Sequence, residues 1–217
     1  MEKRFEFVPG DEIVIAPGRT VKRIRALAAI ATFGVAPGDL GGYVEKETQV
    51  SGNAWVSGNA RVSGDARAYG DAQVSGNAWV SGDARVFGDA WVSGNAQVSG
   101  NAQVSGNARV FGDAQVSGNA WVSGNAQVFG DARVSGNAQV FGDASLFWAS
   151  RVGTENGTFT AYLTALGTIE VTRGCFRGSV DEFLKVSAEK HDEQTQEEYR
   201  LLVKVAELRL SRGRAIE

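Results

Sequence analysis

From residue 51 to residue 146 the apolar positions recur on a fixed six-residue frame. The units read SGNAWV, SGNARV, SGDARA, YGDAQV and onward, without an insertion. Gly stands at every sixth position from Gly52 to Gly142, Asn or Asp follows it, and Ala comes two places after it. Val closes each unit except at Ala68 and Leu146. Within a unit, alternation puts Ala and Val on one face of a short strand and the residues between and after them on the other. Gly and then Asn or Asp enter the left-handed backbone region most cheaply, so each unit is expected to end in a bend. One such unit cannot bury its Ala/Val face alone. Stacked coils of them can, so the pattern predicts a solenoid held by nearest-neighbour contacts.

The exceptions to the frame suggest the number of units per coil. Tyr69 and Phe87 are 18 residues apart, as are Phe111, Phe129 and Phe147. Asp65/Asp83, Asp71/Asp89, Asp113/Asp131 and Arg67/Arg85 repeat the interval, which favours three sides per coil. The frame also extends beyond the perfect repeats. DLGGYV and EKETQV precede them, with Val44 and Val50 in phase and Thr48 at the Ala position. FWASRV follows them, with Ser150 and Val152 predicted inward. The expected division is therefore an N-terminal β cap over 1–38, a solenoid of about six coils over 39–152, and a C-terminal cap over 153–217. At ~4.8 Å per coil the rod would be roughly 30 Å long.

The Val–x–x–Asn/Asp–Ala–x pattern resembles the hexapeptide-repeat family. That resemblance implies a mostly β fold, a left-handed parallel β-helix of triangular section. The family usually has Gly, Ala, Asp or Glu directly after the aliphatic residue. Here Ser or an aromatic stands there, and Gly comes one place later. GDLGGYVEKE, the repeats and NGTFTAYLTALGTIEVTRGCFRGSVDEF together are similar to hexapeptide-repeat proteins of bacteriophages and prophages. The resemblance implies a phage-type protein, in the host cytoplasm if phage-encoded, with no established activity to carry over.

The flanks read differently. Glu12 to Ala16 and Thr20 to Leu27 are strand-like around the turn Pro17-Gly18-Arg19. The apolar run from Ala26 to Ala36 follows Lys22, Arg23 and Arg25 but starts too late for a signal peptide and is too short to span a bilayer. A buried part of a cap is expected, because the end of a solenoid exposes strand edges. Thr158 to Leu163 and Thr168 to Arg173 predict a hairpin turning at Ala165 to Gly167. Ser179-Val180-Asp181-Glu182 is a capping box that opens a helix burying Val180, Phe183 and Leu184. His191-Asp192 breaks it, and a second amphipathic helix carries Tyr199, Leu202, Val203, Ala206 and Leu210.

Composition adds exclusions. A net charge of −3 is too small to point to DNA, RNA or an anionic membrane. The single cysteine, Cys175, rules out an internal disulfide, and the expectation is a small buried residue beside Phe176. The best-known hexapeptide proteins are acyltransferases, which use a histidine of a coil or loop as general base and bind acyl-coenzyme A between subunits. This chain has one histidine, His191, outside the repeats, where it is expected to complement a helix dipole. Residues 51–146 contain no Lys, Glu, His or Cys and no inserted loop. The expectation is a protein that is not an enzyme and needs no cofactor or metal. The stacked aspartates are read as solvated corner carboxylates.

The outward positions carry the remaining signal. Trp is followed by Ser at Trp55, Trp79, Trp91 and Trp121, whereas Phe or Tyr is preceded by Arg or Gln. Phe111, Phe129 and Phe147 are predicted to form one column in a homo-oligomer interface, a trimer by the resemblance. Arg67, Tyr69, Arg85, Phe87 and Trp91, with Trp55 on the adjoining face, form a candidate site for a planar or anionic ligand such as a nucleotide. A host protein bound along a structural rod is the alternative partner.

Overall fold

The computed structural model describes residues 3–142, 145–164 and 166–213. The six-residue units form two- to four-residue strands joined by corners, and three of them make one coil. Arg61 pairs in parallel with Trp79, Trp91 with Arg109, and Gln103 with Trp121, each 18 residues on. Three parallel sheets result, and the solenoid has about six turns.

Each corner glycine from Gly52 to Gly142 has φ between +62° and +74°. The following Asn or Asp does not join it there, contrary to the sequence expectation, since only Arg151 and Asn156 among the described non-glycine residues have positive φ. Close stacking is a second reason for glycine. A Cβ on Gly94 would lie 2.9 Å from the amide nitrogen of Gly112 on the next coil. Backbone bonding continues through the corners: the Asn53 and Trp55 amides donate to the Gly70 and Ala72 carbonyls at 2.8 and 3.0 Å. The Ala and Val side chains from Ala60 to Val140 are sealed from solvent.

The N-terminal strands Phe5–Ala16 and Arg19–Ala26 form an antiparallel hairpin, which pairs with the strand Leu40–Val44. Leu40–Val44 then pairs in parallel with Arg61 and Val62, so one eight-stranded sheet passes from cap to solenoid. Gly41 and Gly42 permit that junction. A Cβ on either would come within 2.7 Å of a backbone carbonyl, that of Val56 or Ala60. Thr48 does not take an inward Ala position. Glu47–Gln49 is a 3-10 turn, Thr48 is exposed, and the buried Gln49 carboxamide accepts from the Glu45 and Lys46 amides and donates to the Gly64 carbonyl. The apolar run from Ala26 is buried only at Ala26, Ile30 and Val35, and the second short turn within it, Ala31–Phe33, buries none of its residues.

At the other end the repeat frame stops earlier than expected. Leu146–Val152 is a seven-residue strand that pairs antiparallel with Gly157–Leu163. With Ile169–Arg173 and Phe176–Ser179 it makes a four-stranded sheet over the last coil. Ser150 is exposed, and Val152 packs in the cap's own core rather than along the solenoid axis. Tyr162 joins the solenoid core, and Thr160 and Thr172 bond the Arg133 backbone. Helix α1, Val180–Lys190, opens on the Ser179/Glu182 capping box, and α2, Glu193–Gly213, buries Tyr199, Val203, Ala206 and Leu210. Ala165, where the hairpin turn was expected to begin, lies outside the described residues. Among the described residues no helix is long and apolar enough to cross a membrane.

Candidate functional site: the outward faces of the solenoid

The three faces differ in what they present. The face continuous with the hairpin carries Arg61, Trp79, Gln97, Gln115 and Arg133. A second carries Trp55, Gln73, Trp91, Arg109 and Gln127, and a third Arg67, Arg85, Gln103, Trp121 and Gln139. The candidate ligand site is therefore divided. Arg67, Tyr69, Arg85 and Phe87 share the third face, while Trp91 and Trp55 both stand on the second.

On the third face Tyr69 and Phe87 stack with centroids 5.0 Å apart and ring planes 1° from parallel. Two rings at this spacing leave no room for a third between them, so a planar ligand has only the outer edges to use. Arg67 and Arg85 are register partners, both exposed, and neither forms an ion pair with any described carboxylate. Like charges directly opposed on a sheet repel. Farther along this face Trp121 and Phe141 meet edge-on at 5.3 Å.

On the second face Phe111 and Phe129 stack with centroids 5.0 Å apart, as the interval of 18 predicts. Phe147 does not continue the column. Side chains alternate along the extended strand Leu146–Val152, and Phe147 turns inward against Phe159 in the C-terminal core, at 6.3 Å. Trp148 takes the place instead, edge-on to Phe129 at 4.1 Å. Trp91 lies farther down this face, with the Arg109 guanidinium 5.8 Å from its ring. Trp55 at the first coil is buried, because the segment around Phe33 to Leu40 covers it.

The exposed tryptophans follow a rule that was not read from the sequence. Trp79, Trp91 and Trp121 donate their indole N–H to Ser63, Ser75 and Ser105, each 16 residues earlier, at 3.0 to 3.1 Å. That serine sits one coil below on the same face. A Trp needs Ser beneath it, and Phe or Tyr in that place is followed 16 residues later by Arg or Gln, as at Arg85, Gln103 and Gln127.

The corner amides form ladders, with Nδ2 of one coil donating to Oδ1 of the next. Asn59, Asn77, Asn95 and Asp113 form one such run, and Asn101, Asn119 and Asn137 another. Among the described residues no group of three or more His, Cys, Asp or Glu could hold a metal ion.

His191 lies at the C-cap of α1, partly buried and edge-on to Tyr199 at 5.5 Å. Cys175 is exposed rather than buried, because it sits in the turn between the last two strands.

Fold and repeat geometry together define a β-solenoid protein. The repeat array matches the family model described as YdcK beta solenoid repeat, over residues 55–70, 78–94, 102–114, 114–128 and 126–142. The matched segments all lie within the repeats, which are similar there to the YdcK β-solenoid repeat. No curated protein matches the chain.

Proposed function

We propose that this protein is a non-enzymatic interaction rod that works as a homo-oligomer, with the second face of the solenoid as its contact surface. The observation that supports this reading is the column of Phe111, Phe129 and Trp148 on a rigid face. Stacked aromatics that remain partly exposed are the side chains that dominate protein contacts when buried. A trimer is the stoichiometry we favour, on the likeness of the repeats to hexapeptide proteins. A bacteriophage or prophage origin rests on the same likeness, and a host protein is the alternative partner for this face.

Phe111 is the position to test. Phe129 is held between Phe111 and Trp148, so changing it would also loosen the C-terminal cap, whereas Phe111 ends the column. Phe111→Asp is expected to give monomers in light scattering with an unchanged β-sheet circular dichroism spectrum. A wild-type protein that is already monomeric, or a variant of unchanged mass, removes the reading.

A second reading is favoured by the register pair Arg67 and Arg85. Two exposed, unpaired guanidinium groups on adjacent strands suit an anion with two charged oxygens, and the edge of the Tyr69/Phe87 stack suits a flat group beside it. A nucleotide has both. Mass spectrometry of the purified protein after gentle denaturation is expected to release such a ligand from wild type and not from Arg67→Gln/Arg85→Gln. A ligand-free wild type that also fails to take up added nucleotide excludes it.

A further inference from the structure

Helix α2 carries apolar side chains on two opposite faces. Tyr199, Val203, Ala206 and Leu210 are buried in the core they share with Phe159, Val171 and Phe183. Leu201, Val205 and Leu208 are instead 52%, 42% and 69% exposed. At about 100° per residue these three fall within one narrow stripe, roughly half a turn round from the buried face. Their spacing of four and then three is that of a coiled-coil seam. The four-stranded sheet separates α2 from the solenoid core, with Tyr162 on the solenoid side and Phe159, Ala161 and Val171 on the helix side. The stripe therefore points to the outside of the cap. Single apolar residues scattered over a surface are ordinary, whereas a contiguous stripe marks a contact.

The charges along the helix select the occupant. Glu193, Glu197 and Glu198 stand before Leu201, and Lys204 and Arg209 stand within and after the stripe. Arg200 and Glu207 break this order, but both lie about 100° or more round the helix from the stripe. Lys204 and Arg209 form no ion pair with any described carboxylate. A copy of α2 laid parallel on this face would set Glu beside Glu and Arg beside Arg. An antiparallel copy sets the acidic first turns towards Arg209. It also places each positive helix N-terminus beside the other helix's negative C-terminus.

We propose that α2 docks antiparallel on α2 of a second copy of this chain, through Leu201, Val205 and Leu208. The two-fold axis passes between Lys204 and Val205. Leu201 of each copy then meets Leu208 of the other, and Val205 lies beside its own counterpart. Arg209 of each copy comes opposite residue 200 of the other, within a turn of Glu197 and Glu198. Lys204 nears its own counterpart at the axis, a repulsion that its long side chain relieves by reaching into solvent. The contact joins two molecules cap to cap. It is separate from the second face of the solenoid and does not rest on that face being an interface.

Disulfide capture tests the two-fold, because each position behaves differently under it. In a Cys175→Ser background, Val205→Cys should link to its own counterpart in a glutathione redox buffer and run at twice the mass on a non-reducing gel. Leu201→Cys alone and Leu208→Cys alone should not link. Each stands about 10 Å along the axis from its counterpart, beyond the reach of a disulfide. A mixture of those two variants should link. The three side chains are exposed, so the variants keep the fold, which circular dichroism checks. Each variant is also made with Phe111→Asp, which disables the second face. Links that persist there belong to α2, and they are expected whether or not the second face is an interface. Links lost with Phe111→Asp overturn the proposal. So does a Val205→Cys protein that stays single, and so do Leu201→Cys and Leu208→Cys proteins that each link as readily as Val205→Cys, as a parallel pair would.

Discussion

The indole N–H of Trp121 donates to the hydroxyl of Ser105 at 3.1 Å, across two adjacent coils of one face. Ser105 is buried beneath the ring. Ser105→Ala should therefore strand the indole N–H and cost about 1 kcal/mol. At this chain length that lowers the melting temperature by roughly 2–4 °C. Thermal unfolding followed by circular dichroism checks it, and an unchanged melting temperature would mean that solvent replaces the serine without loss.

The amide ladders predict a stabilising change. Asn53 Nδ2 donates to Asp71 Oδ1 at 2.8 Å, but Asp71 has no donor to pass on to Asp89. Asp71→Asn keeps the acceptor, adds a donor and removes one of two stacked charges. A gain of about 0.5–1 kcal/mol is expected, smaller at high salt if charge relief is the larger part. Melting temperatures at low and high ionic strength give both the sign and its origin.

Gly42 tests the junction between cap and solenoid. A Cβ there would stand 2.6 Å from the Ala60 carbonyl and 2.7 Å from Val56 Cγ1, and the backbone cannot swing aside. Gly42→Ala should cost about 1–3 kcal/mol through overpacking. Gly142→Ala is the comparison, since nothing lies within 4 Å of its Cβ and only its φ of +69° is strained. Its cost should stay within about 1–2 kcal/mol. Urea titrations that ranked Gly142→Ala as the more damaging would contradict the close contact at Gly42.

Tyr162 predicts an alkaline limit. Burial beneath the last coil, and then its hydrogen bond to Glu170 at 2.6 Å, push its hydroxyl up from 10.0 to about 12. The fold thus holds a proton that the unfolded chain releases. The stabilisation is complete below pH ~10 and is lost as pH rises towards 12, by up to roughly 2–3 kcal/mol. Tyr162→Phe should show a flatter fall of melting temperature across that window. Parallel curves for the two proteins would assign alkaline unfolding to other groups.

The sequence by itself determined the repeat, the inward Ala/Val face and the 18-residue coil. A strict period forces identical environments, and each coil needs only its neighbours. The Ser179/Glu182 capping box and the helical spacing of Tyr199, Val203, Ala206 and Leu210 were legible for the same reason, since their partners lie a few residues away. What the sequence left undecided depends on contacts between distant segments. FWASRV fits the repeat frame, yet its pairing with Gly157–Leu163 offers a long antiparallel ladder, so Trp148 and not Phe147 stands on Phe129. Trp91 follows Phe87 closely along the chain, yet a corner separates them onto different faces. The shared core of Val171, Phe183 and Tyr199 has no sequence signature, because its members come from a strand and two helices that meet only when the cap packs.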